Sequence, residues 1–324
     1  VVKGALVVKE RSFQFVPDAP WVAAKAYKMT LVSGSDSTCN ANEICGISDA
    51  ASFDVLSSMA GTGSSGGPDL VVRFTGAAPT GATYMLATTS PFTDVNGSGS
   101  VDGAEVTADD NRTVMHITNA DDLPISSAKF ASPSCEGGAS GDGCLYIAGA
   151  MPVEMQPLMM GCTLPDGTSV ASCMPVTIAP GIMYGTSVTM AAKIYGTFTL
   201  NSDTNTSIMR VREPTDGPVT GYIYDDNGTP TMISKLDLYM DAPDLKITGA
   251  THDLHSKAIS IMLKGPVTFT ADGRIAIALT NQADVPIAIS IDVTILGHSE
   301  IDLILPQNQM KLQLLSAPLR GALP

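Results

Sequence analysis

The chain has 324 residues, 18 basic and 32 acidic side chains, a formal net charge of −14, and only 15% charged residues against 44% hydrophobic ones. That balance repels nucleic acid and anionic membrane surfaces alike, and no apolar run approaches the ~20 residues of a helical membrane span. With 30 glycines and 21 prolines, the composition is that of an all-β, turn-rich protein long enough for two or three domains. The start at Val1-Val2-Lys3 without methionine, already alternating, reads as a processed or partly represented chain with its leader, and an upstream domain, missing.

Residues 1–60 carry strand-like stretches at 5–8, 12–16 and 26–32, followed by a short loop between Cys39 and Cys45. Phe13, Phe15, Pro17, Pro20 and Trp21, followed by Tyr27, Met29 and Leu31 at alternate positions, form a pattern that resembles the second half of the bacterial Ig-like domains of S-layer and other surface proteins. The resemblance covers about residues 5–50 and departs from the family where the Cys39–Cys45 loop replaces the usual turn. It implies a non-enzymatic cell-surface module, commonly in tandem. Such a domain lacks its opening strands here, so strand addition from an upstream domain or a neighbouring subunit is expected to complete it.

The Gly/Ser-rich run 61–67 reads as a connector into a second β domain, 68–180. Its chemistry lies in residues 94–105. Oxygen side chains of Asp94, Asn96, Ser98, Asp102 and Glu105 occupy positions 1, 3, 5, 9 and 12, Gly99 sits at the sharp turn, and the Ser100 carbonyl is available at position 7. This is a calcium loop. Its flanks, 83–88 and 112–117, alternate like strands, so the ion is expected to brace strands and not to open a helix pair.

Six cysteines fall into three close pairs, Cys39 with Cys45, Cys135 with Cys144 and Cys162 with Cys173, each spanning a polar, turn-rich segment. Three local disulfides and an oxidising exterior follow. Zinc is the weaker reading, because no CxxC is present and the four histidines are distant from the pairs. Met151, Met155, Met159, Met160 and Met174 read as unbranched core filler before they read as an adaptable binding surface. The sequons at Asn96, Asn111, Asn205 and Asn227 read as incidental in a bacterial protein.

Residues 181–324 hold the cleanest β signal. Ile287, Ile289, Ile291, Val293 and Ile295 share one parity, and 275–279, 301–305 and 310–314 repeat the alternation, which predicts an antiparallel meander with one apolar face. Upstream, Asp225-Asp226-Asn227-Gly228 is a hairpin turn. The apolar face is expected to pack on a second sheet as a sandwich; the sharper alternative is a groove for lipid or another apolar ligand. His252 and His255 sit between strand-like stretches, so they read as turn residues before they read as a metal pair. No nucleophile elbow, HExxH or phosphate loop occurs, and the pairs Asp121-Asp122 and Asp225-Asp226 read as turn formers.

The sequence therefore predicts a multi-domain all-β protein of antiparallel, Ig-like β-sandwich domains (1–60, 68–180 and 181–324) with a calcium-loop and disulfide-loop insertion. The expected role is a non-enzymatic, calcium-stabilised structural or adhesive component of the bacterial exterior, packing against copies of itself or neighbouring surface proteins. An extracellular glycan- or lipid-binding module is the alternative. If calcium braces residues 94–105, chelation lowers the melting temperature of the wild-type chain and leaves that of an Asp94→Asn/Glu105→Gln variant unchanged; equal melting of the wild type with and without chelator removes the structural role of the ion.

Overall fold

In a computed structural model, the structure describes residues 1–9, 12–19, 21–31, 70–76, 82–89, 111–119, 124–135, 137–179, 181–205, 207–211, 219–242, 245, 250–293 and 297–316. The chain forms two compact units, Val1–Thr80 and Gly81–Pro324.

In the first unit, β1 (Gly4–Lys9) and β2 (Ser12–Pro17) form one hairpin, and β3 (Ala26–Leu31) pairs antiparallel with β4 (Leu70–Thr75). This corrects the Ig-like reading. Strands β1 and β2 pair only with each other in a two-stranded sheet, with Gly4 opposite Pro17, and β3 takes its partner from beyond the Gly/Ser run, so among the described residues of 5–50 no Ig sandwich is built. The aromatic pattern that carried the resemblance makes a small cluster instead: Trp21 meets Tyr27 and Phe74 edge-on at 4.7 and 5.1 Å, with Phe15 at 6.2 Å.

The second unit contains β5 (Ala82–Thr88), β6 (Arg112–Asn119), β7 (Ile125–Ser132), β8 (Gly143–Met155), β9 (Met159–Thr163), β10 (Ser169–Ile178), β11 (Ile182–Gly185), β12 (Thr189–Ile194) and β13 (Phe198–Asp203). It continues with β14 (Ser207–Val211), β15 (Val219–Asp226), β16 (Thr229–Asp241), β17 (Ala250–His252), β18 (Lys257–Phe269), β19 (Ile275–Asn281), β20 (Val285–Val293), β21 (Gly297–Leu305) and β22 (Leu312–Ser316). Eight of these close a ring in the order β8, β5, β22, β19, β18, β16, β14, β11 and back to β8, every pair antiparallel. The protein is thus all-β, and the multi-domain sandwich is corrected to a closed eight-stranded barrel. Strands on both sides of residue 180 share it.

Closure depends on two 13-residue strands, β8 and β16, each long enough to use two partners along one edge. Near Ala148 and Leu238 they are bridged by β11 and β14, and near Val153 and Ile233 by β10 and β15. Alternation then sorts the side chains. Met151, Val153 and Met155 of β8, Leu236, Leu238 and Met240 of β16, and Ile259, Ile261 and Leu263 of β18 enter one apolar core, while Glu154, Lys235, Asp237 and Lys264 take the opposite parity. At Gly265 the wall is so tight that a Cβ would lie 1.7 Å from the carbonyl oxygen of Ala278, which only glycine permits.

The expected meander is corrected in its order. β19 pairs directly with β22, and β20–β21 is a separate hairpin that joins β6 and β17 in a layer beside the barrel. The reason is Asn281, fully buried where the chain leaves the barrel. Its Nδ2 donates to the carbonyls of Ala283 (2.9 Å) and Pro306 (2.8 Å), and its Oδ1 accepts from Met310 N (3.0 Å), which stitches the exit of β20–β21 to its return. The Asn227-Gly228 turn is a two-residue hairpin with φ of 55° and 89°, the conformation that its sequence favours. Asn281→Leu removes both ends of the stitch and is expected to cost about 3 kcal/mol, because buried backbone groups lose their partners; a denaturant midpoint equal to wild type would show that the stitch is dispensable.

Candidate functional site

Where the β20–β21 layer meets the barrel end and the three-stranded sheet β13–β12–β7, the side chains leave a cavity of about 40 Å³. β20 and β21 supply Ile287, Ile289, Ile291 and Leu303, β6 and β7 supply Met115 and Phe130, and β12 and β16 supply Met190 and Met240. Val188, Ala242, Leu245 and Leu254 complete an almost wholly apolar wall, with Thr204 and Ser207 the polar members. Thr204 has its hydroxyl occupied, accepting from Val188 N at 2.9 Å and donating to Asn205 O at 3.3 Å. A space so lined stays dry, since water needs two or more polar partners to enter. Three methionines give the wall unbranched side chains that can shift for an occupant larger than the resting space.

One edge of the cavity is covered by the segment that carries the histidines. Leu245 and Leu254 face the cavity, while Ala242 N donates to Leu254 O at 3.0 Å. His252 bridges the two ends of this cover: its Nε2 donates to Leu245 O at 3.0 Å and its Nδ1 accepts from Leu254 N at 3.2 Å. That pattern requires the neutral ring with the proton on Nε2. Burial holds the His252 pKa below its ordinary value, opposed by the Leu245 hydrogen bond and reinforced by His255, whose ring stacks 4.7 Å away. With both nitrogens engaged, His252 offers no free ligand position to a metal. Asp253 anchors the same cover to β20 by accepting from Ser290 N at 3.0 Å, and it pairs with Lys257. Arg210 pairs with Asp241 at 2.7 Å and donates to Ser256 at 2.7 Å.

The other residues singled out by the sequence are dispersed. The candidate calcium ligands Asp94, Asn96, Ser98, Ser100, Asp102 and Glu105 lie outside the described residues, between strands β5 and β6. Disulfides join Cys135 to Cys144 and Cys162 to Cys173; Cys39 and Cys45 lie outside the described residues, as do Asp121 and Asp122. Cys135 and Cys144 cap the outer face of β8 with Val114 and Tyr146, and Cys162 and Cys173 pack on Tyr224 and Ile233. Among the described residues no three His, Cys, Asp or Glu side chains gather as a metal site. Asp225 caps its own turn through Gly228 N at 2.6 Å, and Asp226 pairs with Lys264 at 2.9 Å, which holds the Asp226 carboxyl below its usual range. The methionines divide: Met151 and Met155 are core, Met174 packs against it, and Met159 and Met160 are exposed on β9. The cavity's β20–β21 wall was visible as a face in the sequence. Met115, Phe130, Met190 and Met240 were not, because four separate strands bring them together.

The strand order and the dry interior define the class: a closed antiparallel barrel whose apolar side chains point inward. Among curated proteins the chain is similar to "Alkane uptake protein B" of Marinobacter nauticus, with 26% identity over 368 aligned residues. The match covers 98% of this chain and 34% of that protein, so the chain spans about a third of its relative's length. No family model matches, and no solved structure matches. These findings overturn the reading of a calcium-stabilised structural or adhesive surface protein with Ig-like domains: the fold is a barrel around an apolar core, and the relative is named for uptake.

Since the folded-state pKa of His252 lies below its unfolded value near 6.5, its stabilising contribution is complete above that value and is lost as pH falls through the lowered one. The wild-type melting temperature is therefore expected to drop, as pH falls below that unfolded value, more steeply than that of His252→Gln; parallel pH profiles would show that His252 is not the group responsible.

Proposed function

We propose that the barrel unit binds apolar hydrocarbon chains as part of an uptake system in a bacterial cell envelope. The observation that carries this reading is the cavity, whose walls offer alkyl, thioether and aromatic groups to an occupant and almost no hydrogen-bonding capacity. A sugar needs several fixed donors and acceptors, so the lining favours the lipid arm of the earlier alternative over the glycan arm. The name of the Marinobacter nauticus relative supports the same reading. Two disulfides suit an oxidising compartment outside the cytoplasm.

The barrel does this work in water. A membrane-spanning barrel presents an apolar band outward and polar groups inward, whereas this one buries Leu236, Ile261 and Leu263 inside and places Lys235, Asp237 and Lys264 on the opposite parity. The module therefore handles an apolar guest from the aqueous side, by enclosing it. At about 40 Å³ the resting cavity is small beside the ~150 Å³ that accommodates benzene in an engineered core. It takes the end of a chain, with the methionines giving way.

Methionine methyl resonances report this directly. Titrating the full chain, labelled at the methionine methyls, with n-decane is expected to move the signals of Met115, Met190 and Met240 and to leave those of exposed Met159 and Met160 in place. Ala242→Leu, which fills part of the space, is expected to weaken the response at least threefold. Equal shifts at buried and exposed methionines, or none, would refute the cavity as the binding site.

A further inference from the structure

The three-stranded sheet that walls the cavity reaches solvent at its other end. From Met190 at the cavity, the same face of β12 continues through buried Ala192 to Ile194, which packs partly on the core. Across the turn Ile194 is in register with Phe198. On the flanking strand β7, Ala128 lies opposite Ala192 and Phe130 returns to the cavity. One apolar face thus runs from the cavity to the β12–β13 tip. There Phe198 is 73% exposed and Tyr195 48% exposed.

The tip is held in shape. Tyr195 N donates to Pro124 O at 2.9 Å, Gly196 N to Ser126 Oγ at 2.8 Å, and Thr197 N to Ile194 O at 3.1 Å. On the opposite face Lys193 and Lys129 are exposed, and neither is in an ion pair among the described residues, in a chain that is otherwise acidic. Scattered exposed apolar residues are ordinary on a protein surface. Two aromatic rings on a braced turn, backed by lysines and continuous with an apolar wall, are a more specific arrangement.

We propose that the β12–β13 tip docks on a phospholipid surface, with Phe198 and Tyr195 in the polar–apolar boundary and the Lys193 ammonium at headgroup level. Aromatic rings with one wet edge and lysines with long alkyl stems are the side chains suited to that boundary. A protein partner fits less well, because two rings of about 150–250 Å² each fall short of the roughly 1,200 Å² of a stable protein interface. The net charge of −14 selects a zwitterionic surface over an anionic one. The apolar face from Ile194 through Ala192 to Met190 is then the track along which an alkyl chain passes from the docked tip to the cavity. The track rests on the cavity reading given above; the docking does not.

Flotation of the full chain with phosphatidylcholine vesicles tests the docking. Wild type is expected to float with the vesicles, and Phe198→Ser/Tyr195→Ser to lose about tenfold or more of its partitioning at unchanged melting temperature. Should the double variant fold poorly, Phe198→Ser and Tyr195→Ser singly serve, each with an intermediate loss. In vesicle-free solution the double variant is expected to keep the decane response of Met115, Met190 and Met240. Wild type that does not float, or tip variants that float as well as wild type, overturn the docking. A flotation difference without any wild-type methyl response supports the docking and overturns the track.

Discussion

The hydrogen bonds of Asn281 determine what kind of molecule the second unit is. Because its carboxamide ties Pro306 and Met310 to the end of β19, the chain leaves the barrel there, makes the β20–β21 hairpin, and re-enters as β22 beside the strand it left. The barrel can then close through β19 and β22, and the displaced hairpin has to cover itself against the barrel end. The cavity lies where that covering is incomplete. A hydrophobic residue at position 281 would leave those backbone groups unpaired in a dry interior, which is the costliest way to lose a hydrogen bond.

Closure also decides which solvent the barrel meets. Inward-pointing Leu, Ile and Met fill the lumen, as they do in small water-soluble barrels, so the apolar side chains of the wall meet one another only inside. The exterior covers are local. Each described disulfide fixes a small cap, one over Tyr146 of β8 and one over Ile233 of β16, at places where both faces of a long strand are buried. This is why β8 and β16 lose clean alternation near those residues while β18 and β20 keep it.

Much of the local structure was legible in the sequence. Alternation at 275–279, 287–293 and 301–305 marked real strands with the correct buried parity, and Asn227-Gly228 marked its hairpin. Strand order was not legible. Asn281 carries the signature of a turn residue, so it suggested a simple meander, and its second role depends on Pro306 and Met310 being brought to it. The Ig-like pattern failed for a related reason: Phe15, Trp21 and Tyr27 do cluster, but Phe74, which joins them, arrives from beyond the Gly/Ser run. The cavity was half visible, as an apolar face at 287–291 with nothing to show what lay opposite.

The pairing of β5 with β22 has a consequence for how the molecule is made. Leu86 sits opposite Ser316, so the ring joins residues near the start of the unit to residues near its end. Contacts of such sequence separation form slowly, because the intervening chain must be ordered first. During synthesis β5, paired on one edge with β8, has to wait with its other edge open until β22 has emerged. In that interval the strands that later line a dry interior are open to pairing with other chains. The same closure that shields the barrel in its finished state leaves that edge unshielded while the barrel is being made.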